Sequence, residues 1–229
     1  MLSDSAIREA ISRGYISIMP LEGDKAIQPA SVDLRLGEKL LIQRADGSWL
    51  NHNLRTSGRY LMAFGDFILG QTHEWITIKV GAVSYVGDVR GKSSRAREGI
   101  IVEAAGHFDP GWDGFGTLEI SNRGRRPVEL TYLMPICQMR FYRVEGQIER
   151  PYGHPDLGSH YRLAMGPEVS WTEQHPRIVS AEKPVPPESE TPVAASVPHI
   201  PEQSLPETPP SEPTAPPVRV LDPVADPNG

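Results

Sequence analysis

Cysteine is almost missing from this 229-residue chain: Cys137 is the only one. A disulfide framework within the chain is therefore excluded, and a lone thiol in an apolar run fits a buried structural role in a reducing compartment. Metal-ligand spacing is also missing. The seven histidines are scattered, and none pairs with a second histidine or a cysteine at the separations that hold zinc. No apolar run is long enough to span a membrane and no signal peptide opens the chain, so the expected location is cytoplasmic. There is no Gly-x-Gly-x-x-Gly and no alternation of strands with helices, which argues against a dinucleotide-binding Rossmann domain. An excess of positive charge is missing too. The net charge is −6, but eight acidic and two basic residues from Glu182 onward account for it, and residues 1–181 carry 21 of each sign. A balanced body offers no general field for a nucleic acid polymer, so any attraction for phosphate must be local.

What is present divides the chain in two. Residues 1–177 read as one domain and 178–229 as a disordered tail rich in Pro and Glu. Fourteen of the 23 prolines fall between Pro184 and Pro227, a composition that cannot bury enough apolar surface to fold alone. A Pro-rich stretch at 209–217 suits polyproline II and could engage a partner with an aromatic groove; a solvating tail is the plainer reading. Residues 2–14 read as a short helix, with Ser3 as N-cap, Leu2 and Ile7 as a hydrophobic staple and Gly14 just past the end. From Tyr15 to Tyr142 the pattern is β. Short alternating runs, among them Phe67–Thr72, Trp75–Val80, Thr117–Ser121 and Ile136–Tyr142, are punctuated by turn residues. Many short strands at this spacing imply a mainly β fold, a sandwich or distorted barrel.

The informative stretch runs from Gly91 to Asn122. It opens Gly91-Lys-Ser-Ser-Arg-Ala-Arg97, where the glycine allows close backbone approach and Lys92, Ser93, Ser94, Arg95 and Arg97 supply donors suited to phosphate oxygens. It is not a P-loop: that motif needs four residues between its glycines, and Gly87 to Gly91 has three. Arg95 by itself reads better as solvated. Then come Ile101-Val-Glu-Ala-Ala-Gly-His-Phe-Asp109-Pro-Gly-Trp112 and the alternating Thr117-Leu-Glu119-Ile-Ser-Asn122. If Leu118 and Ile120 face the core, Glu119 shares the other face with Thr117 and Ser121. There it is either an ordinary solvated residue or, in a pocket, a general acid/base. Asp109 before Pro-Gly is a turn former, a ligand for a sugar hydroxyl, or a base for water.

These segments resemble the dCTP deaminase family, relatives of the trimeric dUTPases. The likeness rests on Gly91-Lys-Ser-Ser-x-Ala-Arg, Ala104-Ala-Gly-x-x-Asp-Pro-Gly-Trp and Leu118-Glu119. Upstream, Gln28-Pro-Ala-Ser-Val-Asp-Leu-Arg-Leu-Gly37 and Leu69-Gly-Gln-Thr-His-Glu-Trp75 add to it, and it covers roughly residues 1–167. The resemblance implies a dUTPase-like β-fold and deamination of dCTP to dUTP. In that reading Glu119 is the acid/base, Ser93, Arg97 and the Ala105 backbone position water and base, and Lys92, Ser94, Arg97, Tyr152 and His160 hold phosphates. Asp109 meets the deoxyribose hydroxyl. The signature of zinc deaminases, His-x-Glu with Pro-Cys-x-x-Cys, does not occur, so the expected chemistry uses no zinc; Mg²⁺ is expected with the triphosphate. The same likeness implies a homotrimer with sites between subunits.

The chain departs from the family pattern at three places. His160 stands for a lysine, Ala164 for a glutamine and Lys92 for an arginine, which weakens a fixed charge, removes an amide and loses bidentate geometry. Two other readings arise. A bifunctional enzyme would carry dCTP through to dUMP and pyrophosphate with Asp109 activating water, although Pro-Gly-Trp after Asp109 leans toward the plain deaminase. A nucleotide-binding protein without turnover would use the tail to meet a partner.

Overall fold

The computed structural model describes residues 1–103 and 106–174. The expected tail lies outside the described residues. One compact unit spans Met1–Ile178. In chain order its elements begin with helix α1 (Asp4–Ser12), β1 (Ile16–Met19), β2 (Ile27–Gln28), β3 (Ser31–Arg35), β4 (Lys39–Gln43) and β5 (Trp49–Asn53). Next come helical turn α2 (Leu54–Ser57), β6 (Arg59–Met62), β7 (Phe67–Ile78), β8 (Ser84–Gly91), helical turn α3 (Ser93–Arg97) and β9 (Ile100–Glu103). The series ends with β10 (His107–Phe108), β11 (Asp113–Asn122), β12 (Val128–Thr131), β13 (Pro135–Val144) and helical turn α4 (Trp171–Gln174).

Helix α1 forms as its sequence dictates. The Ser3 hydroxyl accepts from the Ala6 amide at 3.4 Å, Ile7 and Ala10 are buried, and Gly14 takes φ +69° just past the end, the left-handed conformation that glycine adopts without a Cβ penalty. The strands form two larger sheets. One has the order β5-β4-β7-β11-β9, with β1 also pairing to β7; the other has the order β10-β8-β13-β3-β2. A small sheet joins β12 to β6. Ile68, Ile76, Ile78, Leu118 and Ile120 from the first sheet pack in one core with Val32, Leu34, Met139 and Phe141 from the second. Of the two expected architectures this is the sandwich: two faces closed over a shared apolar layer rather than one continuous barrel. Cys137 is buried in that layer, and burial pushes its thiol up. Among the described residues no helix is long and apolar enough to cross a membrane.

Strand β7 departs from the sequence expectation. The runs Phe67–Thr72 and Trp75–Val80 are parts of one strand, Phe67–Ile78. Between them, pairing with β11 shifts: Phe115 opposes Trp75, yet Thr117 opposes Gln71. Three residues of β7, Thr72 to Glu74, thus span the width of Gly116. The Thr72 hydroxyl holds this irregularity, donating to the Glu74 carbonyl at 2.7 Å and accepting from the Gly116 amide at 2.9 Å. The apparent break in hydrophobic pattern is a bulge that keeps parity on both sides of it.

The same bulge buries Glu74 at 2% exposure. Its carboxylate accepts from the Arg35 Nε at 2.7 Å and from the Arg35 backbone amide at 3.0 Å. This ties β7 of one sheet to β3 of the other. Removing one member of a buried pair strands the other charge, at a cost of about 3 kcal/mol. Glu74→Ala is therefore expected to lower unfolding stability by ~3 kcal/mol in denaturant titrations, with an unchanged dependence on denaturant concentration.

Candidate active site

Strand β11 alternates buried and half-buried residues from Asp113 to Ile120. Leu118 and Ile120 enter the core, as expected, and Thr117 and Glu119 face outward. Opposite them on β7 are Gln71 and Leu69. Above this face lies a cleft of about 410 Å³. The sheet contributes Gln43, Trp49, Phe67, Leu69, Thr117 and Glu119 to its lining. The loop between β10 and β11 contributes Trp112, β10 contributes His107 and Phe108, and the segment after β13 contributes Tyr152, Tyr161, Glu168 and Ser170. The wall is largely aromatic. Phe108 meets Trp112 edge-on with centroids 4.7 Å apart, and Trp112 leans on Tyr152 at 5.4 Å.

The segment after β13 is held by backbone bonds to β11 and its loop. The Tyr152 amide donates to the Pro110 carbonyl at 2.8 Å, the Leu163 amide to the Asp113 carbonyl at 2.7 Å, and the Phe115 amide to the Ala164 carbonyl at 3.1 Å. Tyrosine hydroxyls brace it internally. The Tyr152 oxygen accepts from the Tyr161 amide at 3.1 Å, and the Tyr161 oxygen accepts from the Trp171 amide at 2.9 Å. Burial raises the pKa of the Tyr152 phenol, with the backbone hydrogen bond from Tyr161 opposing it.

The expected site residues fall into two groups. Glu119 and Tyr152 line the cleft. Asp109 sits beside it, 3.1 Å through Oδ1 from Nε2 of the cleft residue His107. Ser93, Ser94 and Arg97 do not line it. They sit on helical turn α3, and Arg97 shares a different groove of about 760 Å³ with Arg95, Arg125 and Arg126. Arg95 is bonded to Glu98 at 2.6 Å. Lys92 is ion-paired with the Asp33 carboxylate. His160 stacks on the Trp171 ring, centroids 4.3 Å apart at 17°. Ala105 falls outside the described residues. Sequence reasoning named neither His107 nor Glu168 as cleft residues, nor the walls Trp49, Phe67, Trp112 and Tyr161. Trp112 and His107 fall inside a quoted motif, the others gave no signal there, and none forms a local pattern with Glu119.

Fold and cleft together define a β-sandwich protein able to hold a flat ring between aromatic walls next to a carboxylate. The chain belongs to the dCTP deaminase-like family, whose model matches residues 1–144. It is 38% identical over 186 residues to a dCTP deaminase of Haloarcula marismortui, covering 74% of this chain and 93% of the relative. To a dUMP-forming dCTP deaminase of Methanothermobacter thermautotrophicus it is 38% identical over 185 residues, covering 74% and 92%. Among solved structures, the 2′-deoxycytidine 5′-triphosphate deaminase of Agrobacterium tumefaciens matches with a TM-score of 0.51 at 24% identity. That match covers 62% of this chain and 46% of the other, a likeness of fold.

Gly116 is where the bulge meets the cleft. A Cβ built on it would stand 2.8 Å from Cζ of Phe108 and 3.3 Å from Cγ2 of Thr72. Gly116→Ala must therefore displace the Phe108 ring. The expected cost is about 1–3 kcal/mol of stability, with a change in the near-ultraviolet circular dichroism of the Phe108–Trp112 pair.

Proposed function

We propose that the protein deaminates dCTP to dUTP with release of ammonia. The observation that carries this reading is Glu119, half-buried on β11 in an aromatic cleft of a chain from the dCTP deaminase-like family. The pyrimidine ring stacks on the aromatic wall. Glu119 takes a proton from water as the water oxygen bonds to C4 and gives it to ring N3; it then takes the proton of the new C4 hydroxyl and gives it to the amine. The tetrahedral carbon collapses to a carbonyl and the amine leaves as ammonia.

The positions of Ser93 and Arg97 support a site shared between copies. Neither lines the cleft of its own chain, so a site combining them with Glu119 draws α3 from a neighbour, and the homotrimer is the assembly that does so. Ser93, Arg97 and the Ala105 backbone then position water and base, Ser94, Arg97, Tyr152 and His160 meet the phosphates, and Asp109 meets the sugar hydroxyl. Lys92 reaches phosphate only by sharing its charge with Asp33. Among the described residues no cluster of three or more His, Cys, Asp or Glu is arranged for a metal ion; Mg²⁺ would arrive on the phosphate oxygens of the nucleotide.

A second reading, formation of dUMP and pyrophosphate, draws on Asp109, whose carboxylate is half-exposed beside His107 at the cleft. A third, nucleotide binding without turnover, draws on His160, which stacks on Trp171 where the family pattern has a lysine. Ammonia release and product chromatography separate all three: dUTP supports the first, dUMP the second, and bound but unchanged dCTP the third.

Glu119→Gln is expected to lower ammonia release at least about a hundredfold while nucleotide still binds by calorimetry. Mixing Glu119→Gln with Arg97→Ala subunits, unfolded and refolded together, is expected to restore part of the activity that each lacks alone. Absence of any recovery in verified mixed assemblies would refute a site shared between copies.

A further inference from the structure

A second carboxylate stands in the cleft without a role in the chemistry above. Glu168 comes from the segment that runs alongside β11, and the contacts advance in the same direction along both. Asp113 receives Leu163, Phe115 meets Ala164, and the Thr117 hydroxyl accepts from the Glu168 amide at 3.4 Å. Glu119 is the next residue along β11 on that outer face. Two close approaches fix the path. A Cβ on Gly114 would lie 3.0 Å from the Ala164 nitrogen, and one on Gly166 would lie 3.3 Å from the Gln71 Oε1 and from Lys39 Cδ. Lys39 also donates to the Met165 carbonyl at 3.1 Å. Pro167 then limits the backbone just before Glu168.

Among the described residues, no lysine or arginine lines the cleft around Glu168, and none forms an ion pair with it. An ionised carboxylate accepts hydrogen bonds and donates none. Placed against a pyrimidine edge it favours a ring that donates there and disfavours one that presents a carbonyl. Cytosine presents an amino group at C4; uracil and thymine present oxygen.

We infer that Glu168 is a specificity-determining residue that accepts from the exocyclic amine of cytosine and repels a C4 carbonyl. It thus selects the amino-bearing nucleotide and disfavours the deaminated product. This rests on the proposed deaminase reading and assigns its base selectivity to one side chain. The segment itself is held by backbone bonds, so replacing the side chain leaves its anchor to Thr117 in place.

The test measures affinities for the non-hydrolysable α,β-imido analogues of dCTP and dUTP by calorimetry, in the Glu119→Gln full-length protein with and without Glu168→Gln. The expected result is a fall of at least about tenfold in the preference for the dCTP analogue, driven by tighter binding of the dUTP analogue. Glu168→Ala, which removes the side chain altogether, should shift the preference in the same direction. If both analogues bind and the preference stays within twofold in both variants, the assignment of Glu168 is wrong while the deaminase reading stands. If neither analogue binds the Glu119→Gln protein, the deaminase reading falls, and this assignment with it.

Discussion

The hydrogen bonds of Thr72 and Glu74 are the constraint on which the arrangement of this protein depends. Strand β7 is the hub of one sheet, pairing with β1, β4 and β11. At its centre one hydroxyl satisfies a carbonyl of its own strand and an amide of β11, while the next buried side chain reaches across to β3. A carboxylate at 2% exposure is costly unless paired and hydrogen-bonded. Here it meets both conditions, accepting from the Arg35 side chain and the Arg35 amide. The consequence is geometric. Because the bulge preserves parity, residues before and after it face the same side, and Glu119 is presented outward on a strand whose even residues are locked in the core.

The cleft is a product of that frame plus one late segment. Sheet residues alone supply a floor with one carboxylate. The residues from Tyr152 to Ser170 supply the roof, and they are attached by main-chain bonds to β11 and its preceding loop. Main-chain anchoring tolerates change of side chains on the roof, so the chemistry offered to a ligand can vary while the path of the segment stays the same. The long aromatic side chains add contact area at low entropic cost, since each has few rotatable bonds.

Much of this is legible in the sequence, because alternation is a local property. The outward direction of Glu119 follows from Leu118 and Ile120, and the helix over the first residues from Ser3 and Gly14. Strand β7 reads as two runs because Thr72, His73 and Glu74 place two polar side chains at core positions, a pattern that only a tertiary partner explains. Arg35 and Gly116 are that partner, and they lie 39 and 44 residues from the groups they meet. The aromatic wall is not legible for the same reason. Trp49, Phe67, Trp112 and Tyr161 come from four places in the chain, and no periodicity links them. Nor can one chain's sequence show that Arg97 and Glu119 stand apart within it.

The departures from the family pattern take on a different meaning once placed in the fold. Ala164 is 2% exposed, and its backbone lies so close to Gly114 that a Cβ there would stand 3.0 Å from its nitrogen. A buried site of this kind accepts a methyl group, whereas a glutamine would bring an amide that needs partners or an exit to solvent. His160 likewise commits its ring face to Trp171 and leaves no lysine-like charge on a mobile stem. Both residues pack the roof on itself. A roof packed on its own strand holds a fixed position for the side chains it presents. In the proposed reading, phosphate recognition then falls to turn α3 and recognition of the base to the side chains facing Glu119.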